Sequence, residues 1–499
     1  MPASRKPLLA VLALLLAVGG WYLATLREGH DWGDDFSMYI HHAKNLVEGR
    51  PYQETGYLFN PANPIAPPTC PPVFPVLLAG VYAGYGMNLT AMKAAVTLSF
   101  LVGLFMIWLV FQRQASPGRA LAVAALVGFN PLFWAFKDQI LSDFPFLAFA
   151  YATLFCMLRV QDPARTRDAL VPPPSRFYVE GGIPPTAGWA LAAGLVGYLA
   201  YGTRSVGAVL FMAMIAADVL ASRRVSRVTL MALAPFAGLL VLQNLWIHSD
   251  QPLLAQFGNS PARMWSHFSY YGKELRDLWK NGYSGFIMRA VFLTVNGLGI
   301  MGYLIRLRRR ATVLEVFPLF YLAIILSWPY YQGIRYLFPV IPLYLFYALE
   351  GAAVVADFGR LVIRKRAVAA LLVVLFGSYA ARYTTLDYGP LPEGIARPEA
   401  QELFAAVRER TPEDAIFIFA KPRALSLFTG RKASVYHFTE GDEGLLAYMR
   451  RIGADYLITS PLYPDPELLP PFLARQPGRF QPVFTNSAFG VYRLVNTGG

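Results

Sequence analysis

Apolar residues in this chain come in long unbroken runs rather than in the narrow stripes of a soluble helix. The first is Leu8 to Leu26, and similar runs recur near 89 to 111, 120 to 135, 142 to 159, 187 to 201, 205 to 222, 228 to 247, 286 to 305, 312 to 328, 336 to 356 and 367 to 383. A helix needs about 20 apolar residues to cross a bilayer, since each residue adds only about 1.5 Å. The pattern therefore predicts about eleven spanning helices. The first run follows Arg5 and Lys6, is long enough to span, and leads into Leu26-Arg-Glu-Gly-His30 without a small-residue cleavage site. It is expected to stay in the protein as a span rather than leave as a signal peptide.

Three stretches depart from this pattern. Phe36 to Val47 places Phe36, Met38, Tyr39, Ile40, Ala43, Leu46 and Val47 at a spacing suited to an amphipathic helix on the membrane surface. Pro71-Pro-Val-Phe-Pro-Val-Leu-Leu-Ala79 is too short to span and is broken by proline, so it reads as a second interfacial or re-entrant helix. After Arg382 the pattern becomes that of a soluble domain. Pro398 to Glu409 is helical, with Leu403, Phe404, Ala406 and Val407 on one face, and Leu445 to Ile452 is a second helix. Ala415 to Ala420, Asp455 to Thr459 and Gly490 to Val495 read as strands. The expected architecture is mainly α: a polytopic bundle over residues 1–384, whose loop 28–88 carries the interfacial helices, followed by a soluble α/β domain over 385–499.

Composition agrees. The chain is 55% hydrophobic and 15% charged, against roughly 25% charged in soluble proteins. The net charge of +13 points to topology rather than nucleic acid, because the cations cluster between apolar runs. Arg113 and Arg119; Arg159, Arg165, Arg167 and Arg176; Arg223, Arg224 and Arg227; Arg306 and Arg308 to Arg310; and Arg360, Arg364, Lys365 and Arg366 all fall on one side of the bundle. That side is expected to be cytoplasmic, with the N-terminus. Loop 28–88 and everything after Arg382 are then extracytoplasmic. The two cysteines, Cys70 and Cys156, fit neither a disulfide framework nor a metal-ligand spacing. Walker and GxGxxG motifs are missing, which leaves nucleotide chemistry unsupported.

Ionisable residues at membrane depth are costly and mark function by default. Asp34 and Asp35 lie just past the first span, Lys137, Asp138 and Asp143 around the start of the fourth, Arg204 between two spans, and Arg335 at the start of the tenth. All fall at the same expected membrane face. A carboxylate takes a proton from a hydroxyl nucleophile, and arginine and lysine hold a phosphate leaving group. A phosphate-bearing substrate outside the cytoplasm would be a lipid phosphate in the bilayer. Blander roles compete at each position: helix capping for the aspartates, snorkelling or interfacial anchoring for Arg204, Arg335 and Lys137. Asp34, Asp35 and Asp143 also suit a divalent cation. His41 and His42 are expected to face headgroups or solvent.

Gly33-Asp34-Asp35 with Tyr39, Ala43, Leu46 and Gly49, then Pro71-Pro-Val-Phe-Pro-Val-Leu-Leu, Ser142-Asp143-Phe-Pro-Phe and Arg335-Tyr-Leu-Phe-Pro-Val-Ile-Pro342, resemble the successive signatures of the GT-C membrane glycosyltransferases. The bacterial protein-mannosyltransferase and aminoarabinose-transferase-like branch, with polyprenyl-phosphate sugar donors, is the nearest in pattern. Lys421-Pro-Arg-Ala-Leu-Ser-Leu-Phe-Thr-Gly-Arg431 resembles its soluble domain. The resemblance implies a glycosyltransferase of the bacterial inner membrane. It would move a sugar from a polyprenyl-phosphate carrier to an acceptor hydroxyl on lipid, glycan or protein; direct displacement by a hydroxyl that Asp34 activates would then invert the anomeric centre. It further implies Asp34, Asp35 and Asp143 as the acids and Arg335 at the lipid phosphate; Arg204 and Lys137 join Arg335 on position and chemistry. Asp35 departs from the commoner Glu, and Cys70 from the usual aromatic. A transporter or flippase of a lipid-linked sugar and a glycan ligase are the rival readings; the transporter would be expected to show repeated halves, which are not seen.

Overall fold

The computed structural model describes residues 5–63, 67–161, 186–247, 260–280, 285–309, 311–357, 362–437 and 441–495. Arg165, Arg167, Arg176, Arg310 and Arg360 of the basic clusters lie outside the described residues. The chain begins with α1 (Lys6–Ala24), α2 (Asp34–Glu48), the two-residue strand β1 (Tyr57–Leu58) and α3 (Val73–Tyr85). Then come α4 (Leu89–Gln112), α5 (Pro117–Gly128), α6 (Pro131–Phe136), α7 (Asp143–Gln161), α8 (Ala187–Thr203), α9 (Ala208–Ser222) and α10 (Arg227–Trp246). The helical part ends with α11 (Pro261–Asp277), α12 (Gly285–Arg309), α13 (Val313–Ser327), α14 (Ile341–Asp357) and α15 (Val362–Tyr383). The C-terminal region holds α16 (Pro398–Arg410), β2 (Ile416–Ile418), α17 (Pro422–Thr429), β3 (Lys432–Ser434), α18 (Gly441–Ile452), β4 (Tyr456–Thr459), α19 (Asp465–Ala474), β5 (Phe480–Thr485) and β6 (Gly490–Leu494).

Each of the eleven long apolar runs carries helix, and among the described residues seven helices are long and apolar enough to cross a membrane. This is a multi-pass membrane protein. Two runs are shorter as helices than the hydropathy pattern predicts, for local reasons. The run 120 to 135 divides at Asn130-Pro131, where the Asn130 side chain accepts the Leu132 amide at 2.9 Å and caps a new helix, with Pro131 at its first position. The run from 336 becomes α14 only at Ile341, after a 3-10 turn, Ile334–Leu337, and Pro339.

The chain divides into two compact units. The first comprises residues 1–25, 96–137 and 142–387 and is helical. Within it α12 lies against α14, and α8 against α7 and α10. Small residues make the closest approach possible. A methyl group added at Gly302 would land on the Tyr347 carbonyl oxygen, and one at Gly351 on the Leu298 carbonyl oxygen. Lipid tails give helices no hydrophobic reason to associate, so such backbone proximity carries the packing. Ion pairs tie the ends that bear the basic clusters: Arg119 to Glu350, and Arg306 to Glu315 at 2.9 Å with Gln114 at 2.7 Å.

The second unit comprises residues 26–95, 138–141 and 388–499. Its core is a mixed sheet of order β1-β3-β2-β4-β6-β5, in which β1, β3, β2 and β4 run parallel and β6 pairs antiparallel with both β4 and β5. β1 comes from the early loop: Tyr57 is in register with Ala433, and Leu58 with Ser434. Ile418, Leu445, Met449, Leu457, Leu469 and Phe472 form a core of full burial. The same unit takes in α2 and α3. α2 is helical as its periodicity predicts, ending at Gly49 with φ +67°. Its buried positions, however, include Ser37, His42 and Asn45 beside Phe36, Met38 and Ile40, because α3 and α17 cover it. The expected placing of His42 toward headgroups or solvent is corrected here. The imidazole is buried, stacked on Tyr52 at 4.0 Å, with Nδ1 2.7 Å from the Tyr52 carbonyl and Nε2 accepting the Cys70 amide at 3.3 Å.

Gly302→Ala should lower the stability of the helical unit by about 1–3 kcal/mol, the usual cost of overpacking, measured as the unfolding midpoint in detergent. Gly297→Ala, where an added methyl meets nothing within 4 Å, should leave it unchanged.

Candidate active site

The sequence between α1 and α2 is held by aromatic packing. Trp32 is buried, with ring centroids 5.9 Å from Phe404, 5.9 Å from Phe419 and 5.6 Å from Phe489. His30 stacks on Phe36 at 3.9 Å and accepts the Ile140 amide at 3.0 Å. Nearby, Asp138 is fully buried and accepts from the backbone and Nε of Arg27, both at 2.8 Å, while Lys93 donates to the Arg27 carbonyl at 2.7 Å. These contacts fix the chain on either side of Gly33, the N-cap of α2.

Asp34 and Asp35 are therefore the first two residues of the helix, not its cap. Both benefit from the positive end of the helix dipole. Their partner is Arg423, from α17. Its Nη1 donates to Asp35 Oδ1 at 3.1 Å, its Nε lies 3.7 Å from Asp34 Oδ2, and its Nη2 donates to the Pro67 carbonyl at 2.6 Å. The guanidinium lies 5.2 Å from the centre of the Tyr57 ring. Asp34 Oδ1 also accepts the Ala424 amide at 3.3 Å. Side-chain exposure grades the three groups: 2% for Arg423, 17% for Asp34 and 40% for Asp35.

Burial pushes the Asp34 carboxyl up to about 6, against the pull of Arg423, Lys421 and the Ala424 amide and with a further push from Asp35. For Arg423 burial acts downward, yet the two carboxylates hold its pKa above the usual value. The guanidinium stays charged. Cys70 is a neutral thiol, raised to about 12 by burial. The sequence marked Lys421-Pro-Arg as a family-like segment but gave Arg423 no role. Only the packing of α17 on α2 reveals it.

Asp143, Arg204, Arg335 and Lys137 belong to the helical unit. Asp143 opens α7, and its side chain is 4% exposed. Arg204 leaves helical geometry, with φ −148° and ψ 125° between α8 and the 3-10 turn Ser205–Gly207, and pairs with Asp143. Its guanidinium lies 4.6 Å from the Tyr336 ring centre, and that of Arg335 lies 5.8 Å from the same ring. Arg335 also donates to Gln332 Oε1 at 2.7 Å. Arg204, with its partner Asp143, and Arg335 thus share the Tyr336 ring. Lys137 is fully buried at the C-cap of α6, its ammonium 3.8 Å from the Trp134 ring centre. Among the described residues between α10 and α12 lies α11. There Tyr331 stacks near Tyr270 and His267, at 4.5 and 4.6 Å.

Among the described residues no group of three or more His, Cys, Asp or Glu side chains is gathered as a metal shell. Asp34 and Asp35 already face a buried guanidinium, and Asp143 faces Arg204. Arginine supplies the countercharge that a divalent cation would bring.

No protein-family model matches the chain, and no curated protein sequence matches it. Solved structures do. The crystal structure of ArnT from Cupriavidus metallidurans bound to undecaprenyl phosphate superposes with a TM-score of 0.61 at 16% identity, covering 99% of each chain. Its apo form gives 0.59, also at 16% identity, over 99% of this chain and 98% of that one. The archaeal oligosaccharyltransferase AglB from Archaeoglobus fulgidus, in complex with an inhibitory peptide and a dolichol-phosphate, gives 0.55 at 12% identity over 90% of this chain and 69% of that one. The protein has the fold of these GT-C membrane glycosyltransferases.

Proposed function

We propose that the protein is a glycosyltransferase of the bacterial inner membrane. It moves a sugar from a polyprenyl-phosphate carrier to an acceptor hydroxyl outside the cytoplasm. The observation that carries this reading is the placement of the Asp34 carboxyl, 17% exposed at the start of α2, with one oxygen on the Ala424 amide and the other 3.7 Å from a fixed arginine; burial there pushes it up to about 6. A general base performs best when its pKa lies near the working pH. The fold supports the donor class, since structures of the same fold were solved with undecaprenyl phosphate and with a dolichol-phosphate.

In the proposed step Asp34 accepts the proton of the acceptor hydroxyl as its oxygen attacks the anomeric carbon. The bond from that carbon to the carrier phosphate breaks, and the phosphate leaves as an anion. Arg204 and Arg335 are the proposed phosphate partners, because a planar guanidinium donates two parallel hydrogen bonds to phosphate oxygens. Asp143 orients Arg204 toward that role, and Lys137 adds positive charge. A single displacement inverts the anomeric centre. The acceptor is a lipid, glycan or protein hydroxyl. Loop 28–88 and the C-terminal α/β domain lie on the extracytoplasmic side in this reading, and the N-terminus is cytoplasmic.

Three outcomes are expected of purified protein in lipid given polyprenyl-phosphate sugars and a cell-envelope acceptor extract. Wild type releases carrier phosphate only when acceptor is present, and Asp34→Asn lowers that rate by at least about 100-fold, the lower end of general-base effects, while still binding donor. Equal release by both would remove Asp34 from the chemistry, and retained anomeric configuration by NMR would exclude direct attack. The second outcome concerns pH. Asp34 acts unprotonated, so kcat/KM should rise with pH through about 6 and fall tenfold per unit below it. The groups facing Asp34 that modulate this limb are Arg423, Lys421 and Asp35, with Tyr57 and Cys70 neutral in that range. A flat profile from pH 5 to 7 would contradict the assignment. Third, Arg204→Gln should raise the donor KM by about 10- to 100-fold, the equivalent of a charged hydrogen bond of about 1.5–3 kcal/mol. An unchanged KM would place Arg204 in helix packing alone.

A further inference from the structure

Among the groups around Asp34 and Asp35, one comes from the far end of the chain. Arg423 is 388 residues from Asp35 in sequence, yet its guanidinium divides its donors among Asp35, the Pro67 carbonyl and the side facing Asp34. A planar guanidinium held by two hydrogen bonds, from Nη1 to Asp35 and from Nη2 to Pro67, has one orientation. An arginine that only braced the neighbouring C-terminal helices would look like Arg431, whose Nη2 donates to the Arg408 and Thr411 carbonyls, both at 3.0 Å, at the end of α16. Arg423 instead reaches out of α17 to the first turn of α2.

We infer that Arg423 is a positioning residue for the acid pair, so that α17 of the C-terminal region completes the active site. The inference rests on the transfer reading above. Its geometry separates the two carboxylates by task. Asp35 is bound directly at 3.1 Å and serves as the fixed anchor. Asp34 Oδ2 lies 3.7 Å from Nε, past hydrogen-bond reach, and so retains a lone pair for an incoming hydroxyl. The Ala424 amide, one residue on in the same helix, holds the other Asp34 oxygen at 3.3 Å. One turn of α17 thus sets the position of both acids. Displacement of a reacting group by about 1 Å is enough to cost 100-fold in rate.

The test compares Arg423→Met, Arg423→Lys and Arg431→Met in full-length protein, reading kcat, donor KM, pH profile and unfolding midpoint. R423M should lower kcat by about 100-fold with donor KM held within about threefold, and should move the acidic limb to higher pH because the carboxylates lose their cation. R423K should recover part of kcat and shift the limb back, since it restores the charge without the fork. R431M should lower the unfolding midpoint while leaving kcat per folded molecule unchanged. A wild-type kcat and limb in folded R423M would overturn the inference while leaving the transfer reading intact. So would losses in R423K that only parallel a lowered midpoint, as in R431M; R423K carries the test if R423M does not fold. Active wild type with inactive D34N is the internal standard. Wild type that releases no carrier phosphate would overturn the transfer reading and, with it, this one.

Discussion

A guanidinium buried to 2% exposure cannot stand without anions, and Arg423 has two of them. Most of the second unit follows from meeting that demand. α17 must lie on α2 to bring the charges together. Loop 28–88 must fold back so that the Pro67 carbonyl accepts from Nη2. Trp32 and His30 hold the approach to α2 at a fixed angle, one among the rings of Phe404, Phe419 and Phe489, the other on Phe36. The helix start contributes its dipole, which favours the two acids but would repel the arginine if the acids were absent. Charge, dipole and aromatic packing are mutually dependent here.

The helical unit solves a similar problem differently. Asp143 sits at a helix start as Asp34 does, with its own arginine, but Arg204 reaches it by a break in the chain between α8 and α9 rather than from a helix near the far end of the chain. In an apolar bundle an irregular backbone is tolerated where polar partners or a water-lined space satisfy it. Tyr336 then lies near both Arg204 and Arg335, its ring face balancing two cations of like sign. Close helix contacts at Gly302 and Gly351 leave α12 and α14 little room to shift relative to each other.

How legible this was in the sequence depends on the range of the interaction. Spanning helices were legible because twenty apolar residues in a row have few other uses, and Asn130-Pro131 showed that a cap and a missing amide interrupt such a run locally. β2, β4, β6 and α16 could be read from alternation and helical periodicity. β1 lies in the unbroken run Tyr57-Leu-Phe59 and β3 is Lys432-Ala-Ser434 behind Arg431, so neither shows strand alternation. His42 was misplaced because a polar residue on an amphipathic face looks exposed until α3 and α17 cover it. Asp34, Asp35, Asp143, Arg204 and Arg335 stood out because charge near apolar runs is scarce. Arg423 did not, since in a domain of ordinary composition an arginine is unremarkable, and its partners are 388 and 389 positions away (423 − 35 and 423 − 34).

The strand β1 carries one more consequence, in time rather than in space. Tyr57 and Leu58 pair with Ala433 and Ser434, and the Ser434 hydroxyl donates to the Leu58 carbonyl across 376 residues of chain. At roughly 5–20 residues per second, translation needs on the order of tens of seconds to span that gap. Throughout that interval the early loop has left the ribosome without its sheet partner, and Asp34 and Asp35 without their cation. Long-range pairing of this kind forms slowly even once both partners exist. The acids thus reach their final arrangement only after the last spanning helix has been made, and a chain halted anywhere before α17 carries them unassembled.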